Sequence, residues 1–348
     1  MLFGRSRNLV GLDIGDSSVK IVELKELGKG RGFQLLGLGW EPLSSEAIVD
    51  GQIMDSQLVS ETIQRLCQRC RIKSTSPVAV ALSGHHVIVK RISLPQMSDA
   101  ELAESIHWEA EQYIPFDIND VNLDYVVLES DAGDTMDVLL VAVKKDRIAD
   151  YTSVIVQAGK EPVLVDVDVF ALQNAYETSY ALGDETVALV NIGASVMNIY
   201  VLYHGTSIFW RDVAFGGNQY TEAIQRELSL SRDDAERLKL GERVGENTLQ
   251  QVLSVLNSVS EDLTAELQKT IDFFVATSSV DHIDRVVLAG GSAQILNLDE
   301  VLRERFQVAV EVMNPFRNIR YSESDFDPEW INRHAPAMAV AVGLAVRR

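Results

Sequence analysis

The chain has 348 residues, of which 46% are hydrophobic and 24% charged, and its formal net charge is −20. This length predicts two domains of roughly 150 residues each. The negative charge argues against non-specific binding of nucleic acid and against direct docking on anionic lipid, because both need a basic face. It favours a basic protein partner.

No apolar run approaches the ~20 residues that span a membrane, and the N-terminus enters a predicted strand without a signal-peptide pattern. The two cysteines, Cys67 and Cys70, fall on the apolar face of a predicted helix, and no second pair accompanies them to complete a zinc site. We therefore expect a cytoplasmic protein whose membrane association comes through a partner.

In chain order, the first predicted elements follow the pattern β-β-β-α-β. They are a hairpin at 8–24, a strand at 33–43, a helix at 55–71 and a strand at 76–84. A separate strand–helix–strand–strand unit follows, at 86–95, 99–114, 121–129 and 136–146. Within it, Ser98 and Glu101 predict a capping box.

The second half begins after a helix at 147–159 and a strand and helix at 161–177. Its predicted elements are a hairpin at 186–202, a strand at 204–217, a broken helical region at 218–279, and strands at 284–293 and 308–315. The Ala-rich segment 334–347 predicts a final helix that packs back between the domains. We predict a first domain of 1–84 and 160–185 with the final helix 334–348 packed on it, an insert at 85–159, and a second domain at 186–333.

The two hairpins repeat one pattern. Residues 10–24 read VGLDIGDSSVKIVEL and residues 188–202 read ALVNIGASVMNIYVL. An offset of 178 residues aligns Asp13 with Asn191, Gly15 with Gly193, Ser17 with Ser195 and Lys20 with Asn198. The repetition predicts a duplicated domain with two loops that face each other across a cleft.

Turns built from Gly and Ser expose backbone N–H groups that phosphate oxygens can approach closely. In the first turn the candidate residues are Gly15, Asp16, Ser17 and Ser18, with Lys20 as a nearby cation. Asp13, at the end of the strand, can hold Mg²⁺ through water. Two ordinary hairpins remain the alternative, and the chain lacks the P-loop motif.

Two further motifs are compatible with a nucleoside. The stretch VVLAGGSA (286–293) places Gly290, Gly291 and Ser292 at a strand exit, where a flat ring can lie, although Ser292 can equally be a simple N-cap. Gly217 precedes one helix, and a second helix carries Glu236 and Lys239 three residues apart. This pair either contacts a ribose or base edge or is only a surface ion pair.

These motifs resemble those of a known superfamily. GLDIGDSSVK, LVNIGASVMN, VVLAGGSA and AVAVGLA resemble, in order, the phosphate-1, phosphate-2, adenosine and second connecting motifs of the actin-like ATPases. The run from Gly-Gly-Asn to Ala-Glu-x-x-Lys resembles FtsA and its relatives. The insert segment KRISLPQMSDAELAESIHWEAEQYIPFDINDVNLDYVVLE is similar to the PilM family of type IV pilus assembly proteins.

The resemblance implies an α/β fold: an actin-like, ribonuclease H-like duplicated two-domain ATPase fold with a small α+β insert subdomain. It implies ATP and Mg²⁺ as cofactors and the cytoplasmic N-terminal tail of PilN as partner. Other pilus assembly components, a motor ATPase or PilO, PilP and PilQ, would be contacted indirectly, and homo-oligomers are possible. By position, the phosphate loops are Asp13, Gly15, Asp16, Ser17, Ser18 and Lys20, and Gly193, Ala194 and Ser195; the adenosine pocket is Gly217, Glu236, Lys239, Gly290, Gly291 and Ser292; and Asp13 is the Mg²⁺-linked carboxylate.

One position departs from the wider pattern, because the phosphate-2 strand commonly ends in Asp and here ends in Asn191. An amide cannot act as a general base and holds a hard cation less firmly than a carboxylate. We therefore expect intact nucleotide binding with slow or negligible hydrolysis.

The partner site is predicted in the insert. Ile114, Pro115 and Phe116 directly follow an acidic amphipathic helix, where they can line an apolar groove for an extended peptide. The alternative is that they are simply a helix stop and core.

Two other functions share parts of this pattern. An FtsA-like cell-division ATPase has the same nucleotide motifs, but would normally carry a C-terminal amphipathic membrane helix, which we do not find. A sugar kinase would need a catalytic Asp in the cleft, for which Asp166 and Asp168 are the best candidates.

Overall fold

The computed structural model describes residues 8–28, 30–128, 134–245 and 249–347. The predicted bounds at 1, 129 and 348 lie outside these residues. The elements up to the start of the insert are β1 (Val10–Ile14), β2 (Ser18–Glu26), β3 (Phe33–Pro42), β4 (Ile48–Val49), β5 (Gln52–Ile53), α1 (Ser56–Arg69) and β6 (Pro77–Leu82). Asp55 caps α1, since its side chain accepts a hydrogen bond from the amide of Leu58.

The insert is a three-stranded antiparallel sheet covered by one helix. Its elements are β7 (Val87–Pro95), α2 (Asp99–Glu111), β8 (Val121–Leu128) and β9 (Thr135–Lys144), in the sheet order β7-β9-β8. The capping box of Ser98 and Glu101 is confirmed. Leu102 and Ile106 of α2 pack on Val138 of β9 in a small separate core.

The chain then returns to the first domain through α3 (Lys145–Gln157), β10 (Glu161–Val167) and α4 (Asp168–Ser179). Tyr151, Val154 and Ile155 of α3 are buried in the core of the first domain. The sequence predicts that this helix belongs to the insert, at 85–159. Its buried face instead joins it to the first domain.

The second domain contains β11 (Thr186–Ile192), β12 (Met197–Tyr203), β13 (Thr206–Val213), α5 (Gly217–Leu228), α6 (Arg232–Lys239), α7 (Leu249–Thr277), β14 (Arg285–Ala289), α8 (Leu298–Phe306) and β15 (Ala309–Val312). Its sheet has the order β13-β12-β11-β14-β15, with β14 and β15 parallel to β11. Alternate residues of β11 enter two cores: Val187 and Leu189 pack toward the first domain, and Ala188 and Val190 pack toward the helices of the second.

The last elements are β16 (Ile319–Arg320), α9 (Pro328–His334) and α10 (Ala339–Ala345). The six-stranded sheet of the first domain has the order β10-β6-β1-β2-β3-β16. Residues from 313 to 333 were assigned by sequence to the second domain. Phe316 and Ile331 lie in a core that contains residues of both domains, and β16 extends the sheet of the first domain.

The final helix lies against β1 and α4. Two glycines permit this close packing: a Cβ on Gly11 would lie 1.9 Å from the carbonyl oxygen of Ala341, and one on Gly343 would lie 1.7 Å from that of Ala171. The preceding 3-10 turn, Ala335–Met338, joins the domains, since the carbonyl of Pro336 accepts from the amide of Gly290 at 2.8 Å.

Candidate functional site

The two hairpin turns predicted from the repeated sequence have the same backbone hydrogen bond. The amide of Gly15 donates to the carbonyl of Ser18 at 3.0 Å, and the amide of Gly193 donates to that of Val196 at 2.9 Å. We name these turns loop 1 (Gly15–Ser18) and loop 2 (Gly193–Val196). The duplication is therefore one of backbone geometry as well as of sequence.

The side chains beside the two turns differ in chemistry. In the first hairpin, Lys20 and Asp13 are opposite in register and form an ion pair of 3.1 Å. In the second, Asn191 lies opposite Asn198 and donates to its side-chain oxygen at 3.0 Å. The two aligned hairpins therefore differ, with an ion pair on one side and a neutral amide pair on the other.

The amide pair continues to a carboxylate on the neighbouring strand. Asn198 donates to Asp212 of β13 at 2.8 Å, and Asp212 also accepts from the amide of Gly84 in the first domain. Burial raises the pKa of Asp212 above its usual range. This polar row crosses three strands and ends on the opposite domain.

A further carboxylate lies in the same part of the cleft. Asp168, the first residue of α4, is half-buried and accepts from the side chain of Ser83. Burial, followed by the negative charges of Asp13 and Asp212, raises its pKa to about 7. Of the two candidate bases, Asp168 is the one in the cleft. Asp166 is buried instead under Arg347, at 3.0 Å.

Loop 2 is the point where the second domain's site elements meet. Its Gly193 carbonyl accepts from the amide of Gly217, at 2.9 Å, and from the hydroxyl of Ser292, at 2.9 Å. The Ala194 carbonyl accepts from the amide of Asn218 at 2.8 Å. Ser292 is thus not the N-cap that one interpretation expected, but a link between the predicted adenosine and phosphate motifs.

Glycines are required where these elements touch. A Cβ on Gly217 would lie 2.2 Å from the hydroxyl of Ser292, and Gly290, at φ +90°, would bring one to 2.3 Å from the carbonyl of Ile192. By contrast, a Cβ on Gly291 would meet no atom within 4 Å. The backbone at Gly291 is therefore open to a ligand. Gly217 and Gly290 instead allow the close contact between the elements of the site.

The predicted pair of Glu236 and Lys239 lies beside Gly217, at the same part of the site. Lys239 is 5% exposed and lies 2.7 Å from Glu236. Its ammonium also donates to the hydroxyl of Thr221, at 2.9 Å, and to the carbonyl of Gly217, at 3.3 Å. Burial lowers the pKa of Lys239, which the carboxylate of Glu236 partly offsets. The pair therefore joins a buried ammonium to a carboxylate whose side chain is 40% exposed.

The two loops are also connected to each other. Asp16 accepts hydrogen bonds from the side chain of Ser195 and from the amide of Gly51. Ser195 in turn accepts from Asn218 at 3.1 Å, and Asn218 accepts from Arg232 of α6 at 2.6 Å. Burial raises the pKa of Asp16. Loop 1 is therefore coupled through loop 2 to the helix that carries Lys239.

The remaining predicted loop residues have simpler positions. Ser17 is exposed, and its carbonyl accepts from the amide of Leu43 at 2.9 Å. Ser18 is buried at the start of β2. Within the described residues, no group of three or more His, Cys, Asp or Glu side chains is placed to hold a metal ion. A metal here would need ligands from a bound molecule or water besides Asp13.

Some residues of this site were missed by the sequence analysis. They are Ser83, Asp212, Asn218, Thr221 and Arg232. The sequence offered two signals for them: a polar residue within a strand, as at Asp212, and a polar residue directly after Gly-Gly, as at Asn218. What makes them part of the site is strand register and helix packing.

The predicted partner residues lie at the edge of the insert core. Ile114 is 6% exposed and packs inside that core, which agrees with the alternative interpretation for this residue. Pro115 is exposed, and Phe116 is half-buried with the ammonium of Lys144 4.5 Å above its ring. Only Pro115 and part of Phe116 offer surface to a partner.

The fold places the chain among the actin-like ATPase folds. It resembles EutJ, an ethanolamine utilization protein from Carboxydothermus hydrogenoformans (TM-score 0.59, 15% identity, 97% of this chain and 88% of that one). It also resembles MreB5 of Spiroplasma citri, solved with AMPPNP (TM-score 0.53, 13% identity, 97% and 95%).

A more specific relationship comes from the sequence itself. The family model for type IV pilus assembly protein PilM matches residues 11–348, and the chain belongs to this family. A solved PilM–PilN type IV pilus biogenesis complex contains a chain that is 28% identical over 98% of both chains, with a TM-score of 0.86. Among the described residues, no helix is both long and apolar enough to cross a membrane.

Proposed function

We propose that this member of the PilM family binds ATP with Mg²⁺ in the cleft between loops 1 and 2 and uses it to set the arrangement of its two domains for a partner. The observation that carries the proposal is the convergence of Gly217 and Ser292 on the carbonyl of Gly193. This brings the predicted adenosine motif against the predicted phosphate loop. The resemblance to an AMPPNP-bound MreB5 supports a nucleotide in the same fold.

The residues present fit such a ligand. The open backbone at Gly291 provides a surface for a base, and the Lys239–Glu236 pair forms one wall of that surface. Lys20 supplies a cation at loop 1, while Asp13 and Asp168 supply carboxylates for a metal held mainly by phosphate oxygens and water. Bound Mg²⁺ would neutralise part of the negative charge of the phosphates.

Hydrolysis is proposed to be slow. Asn191 has no negative charge and is held by Asn198 in a neutral pair, so it can neither take a proton nor hold a hard cation firmly. The nucleotide then acts as a structural ligand, because it spans loops that already touch through Asp16 and Ser195.

The proposed partner is the cytoplasmic N-terminal tail of a PilN protein, which would bring this chain to the inner membrane. The support is the likeness to the PilM–PilN complex. Within this chain we place the contact at Pro115 and Phe116, directly after α2. Contacts with a motor ATPase or with PilO, PilP and PilQ would be indirect.

The experiment is a binding titration of a labelled PilN-tail peptide with the purified full chain, with and without ATP and Mg²⁺. We expect nucleotide to tighten binding and Phe116→Ala to weaken it about tenfold, since the ring supplies the apolar contact. Ile118→Ala, a half-buried residue of the same core, is the control for general loosening of the insert. Unchanged affinity in a folded Phe116→Ala variant would place the groove elsewhere.

A sugar-kinase activity is the second candidate, since Asp168 lies in the cleft with a raised pKa. ATP-dependent phosphorylation of a sugar would favour it over the role above. The match of the whole chain to the PilM family argues against it.

A further inference from the structure

A cavity of about 520 Å³ lies on the first domain, along the open side of the end of β3. One wall is the end of β3, from Leu38 to Pro42, and the other is formed by Asp325, Phe326, Asp327 and Trp330 around the start of α9. This volume is in the range of cavities that hold drug-sized ligands or short peptides. The cleft functions proposed above do not use it.

The cavity lies beside an edge that no described strand covers. β16 pairs only with Phe33 and Gln34 at the beginning of β3, so the later part of β3 has a strand on one side only. Its carbonyls are nevertheless engaged: that of Leu38 accepts from the thiol of Cys70, and that of Trp40 from Arg69 at 2.6 Å. An added β-strand is therefore disfavoured, and recognition would depend on side chains.

Three half-buried aromatic rings line the cavity: Trp40, Phe326 and Trp330. His334 stacks on Trp330, with centroids 4.1 Å apart, and lies 6.0 Å from Trp40. His334 therefore contacts two of the three rings. Indole faces attract cations, and guanidinium groups also stack on them.

The charges around the cavity are unbalanced. Its only basic lining residue among those described, Arg69, is paired with Glu41 at 2.5 Å. Asp327 caps α9 by accepting from the amide of Glu329, and Asp325 is exposed with no basic partner among the described residues. Within the part of the chain that the structure describes, neither Asp325 nor Asp327 is therefore paired with a cation.

The negative surface extends past the mouth of the cavity. The segment 321–329 reads YSESDFDPE, with four acidic residues and no basic one, and the exposed Glu323 and Glu329 are close in sequence to the residues that line the cavity. This surface is longer than one side chain, so it fits a segment with several positive charges. The chain's net charge of −20 would add long-range attraction to such a segment.

We propose that this cavity, with its aromatic walls and unpaired Asp325 and Asp327, is a docking site for an extended basic segment of a partner protein. An Arg or Lys side chain of that segment enters between Trp40 and Trp330, and further cations contact Glu323 and Glu329. The lining residues of this cavity include neither the predicted nucleotide-binding residues nor Phe116.

The probe is a library of random ten-residue peptides selected against the full wild-type chain. Individual peptides are then measured by fluorescence anisotropy. We expect enriched peptides to carry two or more Arg or Lys residues, with an affinity that falls as salt is raised. Asp325→Lys should weaken binding at least tenfold, and Asp325→Asn less.

Glu304→Lys is the matched control, because Glu304 is an exposed acidic residue on α8 of the second domain. It should leave affinity unchanged, and so should Phe116→Ala, which separates this site from the proposed PilN contact. Circular dichroism and melting of each variant establish that it is folded.

Four results would overturn the proposal. They are the absence of enriched peptides, enrichment of neutral or acidic peptides, equal losses in Asp325→Lys and Glu304→Lys, and self-association of the wild-type chain that Asp325→Lys abolishes. The last would identify a second copy of this chain as the occupant.

Discussion

At the scale of single residues, the site depends on which charges stand beside two similar turns. Asp13 and Lys20 form an ion pair at loop 1, whereas Asn191 and Asn198 form a neutral pair at loop 2. The first arrangement can respond to phosphate and metal, because both of its partners are charged. The second can only hydrogen-bond.

Replacing Asn191 with Asp should therefore raise ATP hydrolysis about tenfold or more, because a carboxylate at this position can accept a proton and hold a cation. It should also cost about 1 kcal/mol of stability, since Asp cannot donate to Asn198. Phosphate release and urea unfolding measure the two effects. Asn198→Asp makes the same charge change one strand away and should not activate hydrolysis. Rapid ATP hydrolysis by the wild-type chain, or no increase in hydrolysis in Asn191→Asp, would contradict the proposed role of Asn191.

The pKa of Asp168 predicts a pH effect. An unfolded Asp titrates near about 4, and folding raises the pKa of Asp168 to about 7, mainly through burial. Between these values the native state binds more protons than the unfolded chain, so this group makes stability fall as pH rises. Asp168→Asn should remove that contribution.

The measurement is the melting temperature of both proteins from pH 4.5 to 7.5. We expect the melting temperature of the Asp168→Asn variant to rise relative to that of the wild type as pH rises. Asp150→Asn, at an exposed position, is the control for loss of one negative charge. If the melting temperatures of wild type and Asp168→Asn change in parallel with pH, folding does not raise the pKa of Asp168.

At the scale of elements, the site is assembled by contacts between segments far apart in sequence. Loop 2, the start of α5 and the turn after β14 meet at the carbonyl of Gly193. Sequence motifs predicted each segment separately. The contacts between these segments were not predictable, because they follow from the strand order β12-β11-β14 and from how α5 packs on the sheet.

Two glycines of this junction should respond differently to alanine. Gly217→Ala places a methyl group 2.2 Å from Ser292 and should cost about 1–3 kcal/mol of stability. Gly291→Ala has open space and should leave stability unchanged while lowering nucleotide affinity. Gly183→Ala, also in open space, is the control. Calorimetric titration with ATP and thermal melting separate the effects; equal ATP affinity in Gly291→Ala and wild type would place the base elsewhere.

At the scale of the whole molecule, one hydrophobic core contains residues of both domains. Residues of β11 pack with α4 of the first domain, and the segment 313–347 crosses from the second domain to the first. Loops 1 and 2 are thereby held facing each other. A ligand that contacts both should stabilise the entire protein.

ATP with Mg²⁺ at about 1,000 times its dissociation constant should add about 4 kcal/mol to the free energy of unfolding. A thermal melt should therefore shift upward by several degrees. Asp13→Ala should reduce the shift, since it removes the carboxylate nearest to Lys20. Guanidine hydrochloride melts with and without ATP provide an independent check. No shift with ATP at any concentration would contradict nucleotide binding.

The sequence alone determined the duplicated hairpins, the insert and the Asp-to-Asn departure at 191, because these depend on local patterns and residue types. Helix and strand positions followed from periodicity and caps, as Ser98 and Glu101 illustrate. Only the tertiary structure decided that α3 packs on the first domain, that β16 joins the sheet of that domain, and that Asp168 rather than Asp166 enters the cleft. These outcomes depend on which buried faces meet, and such long-range packing leaves no signal within a short stretch of sequence.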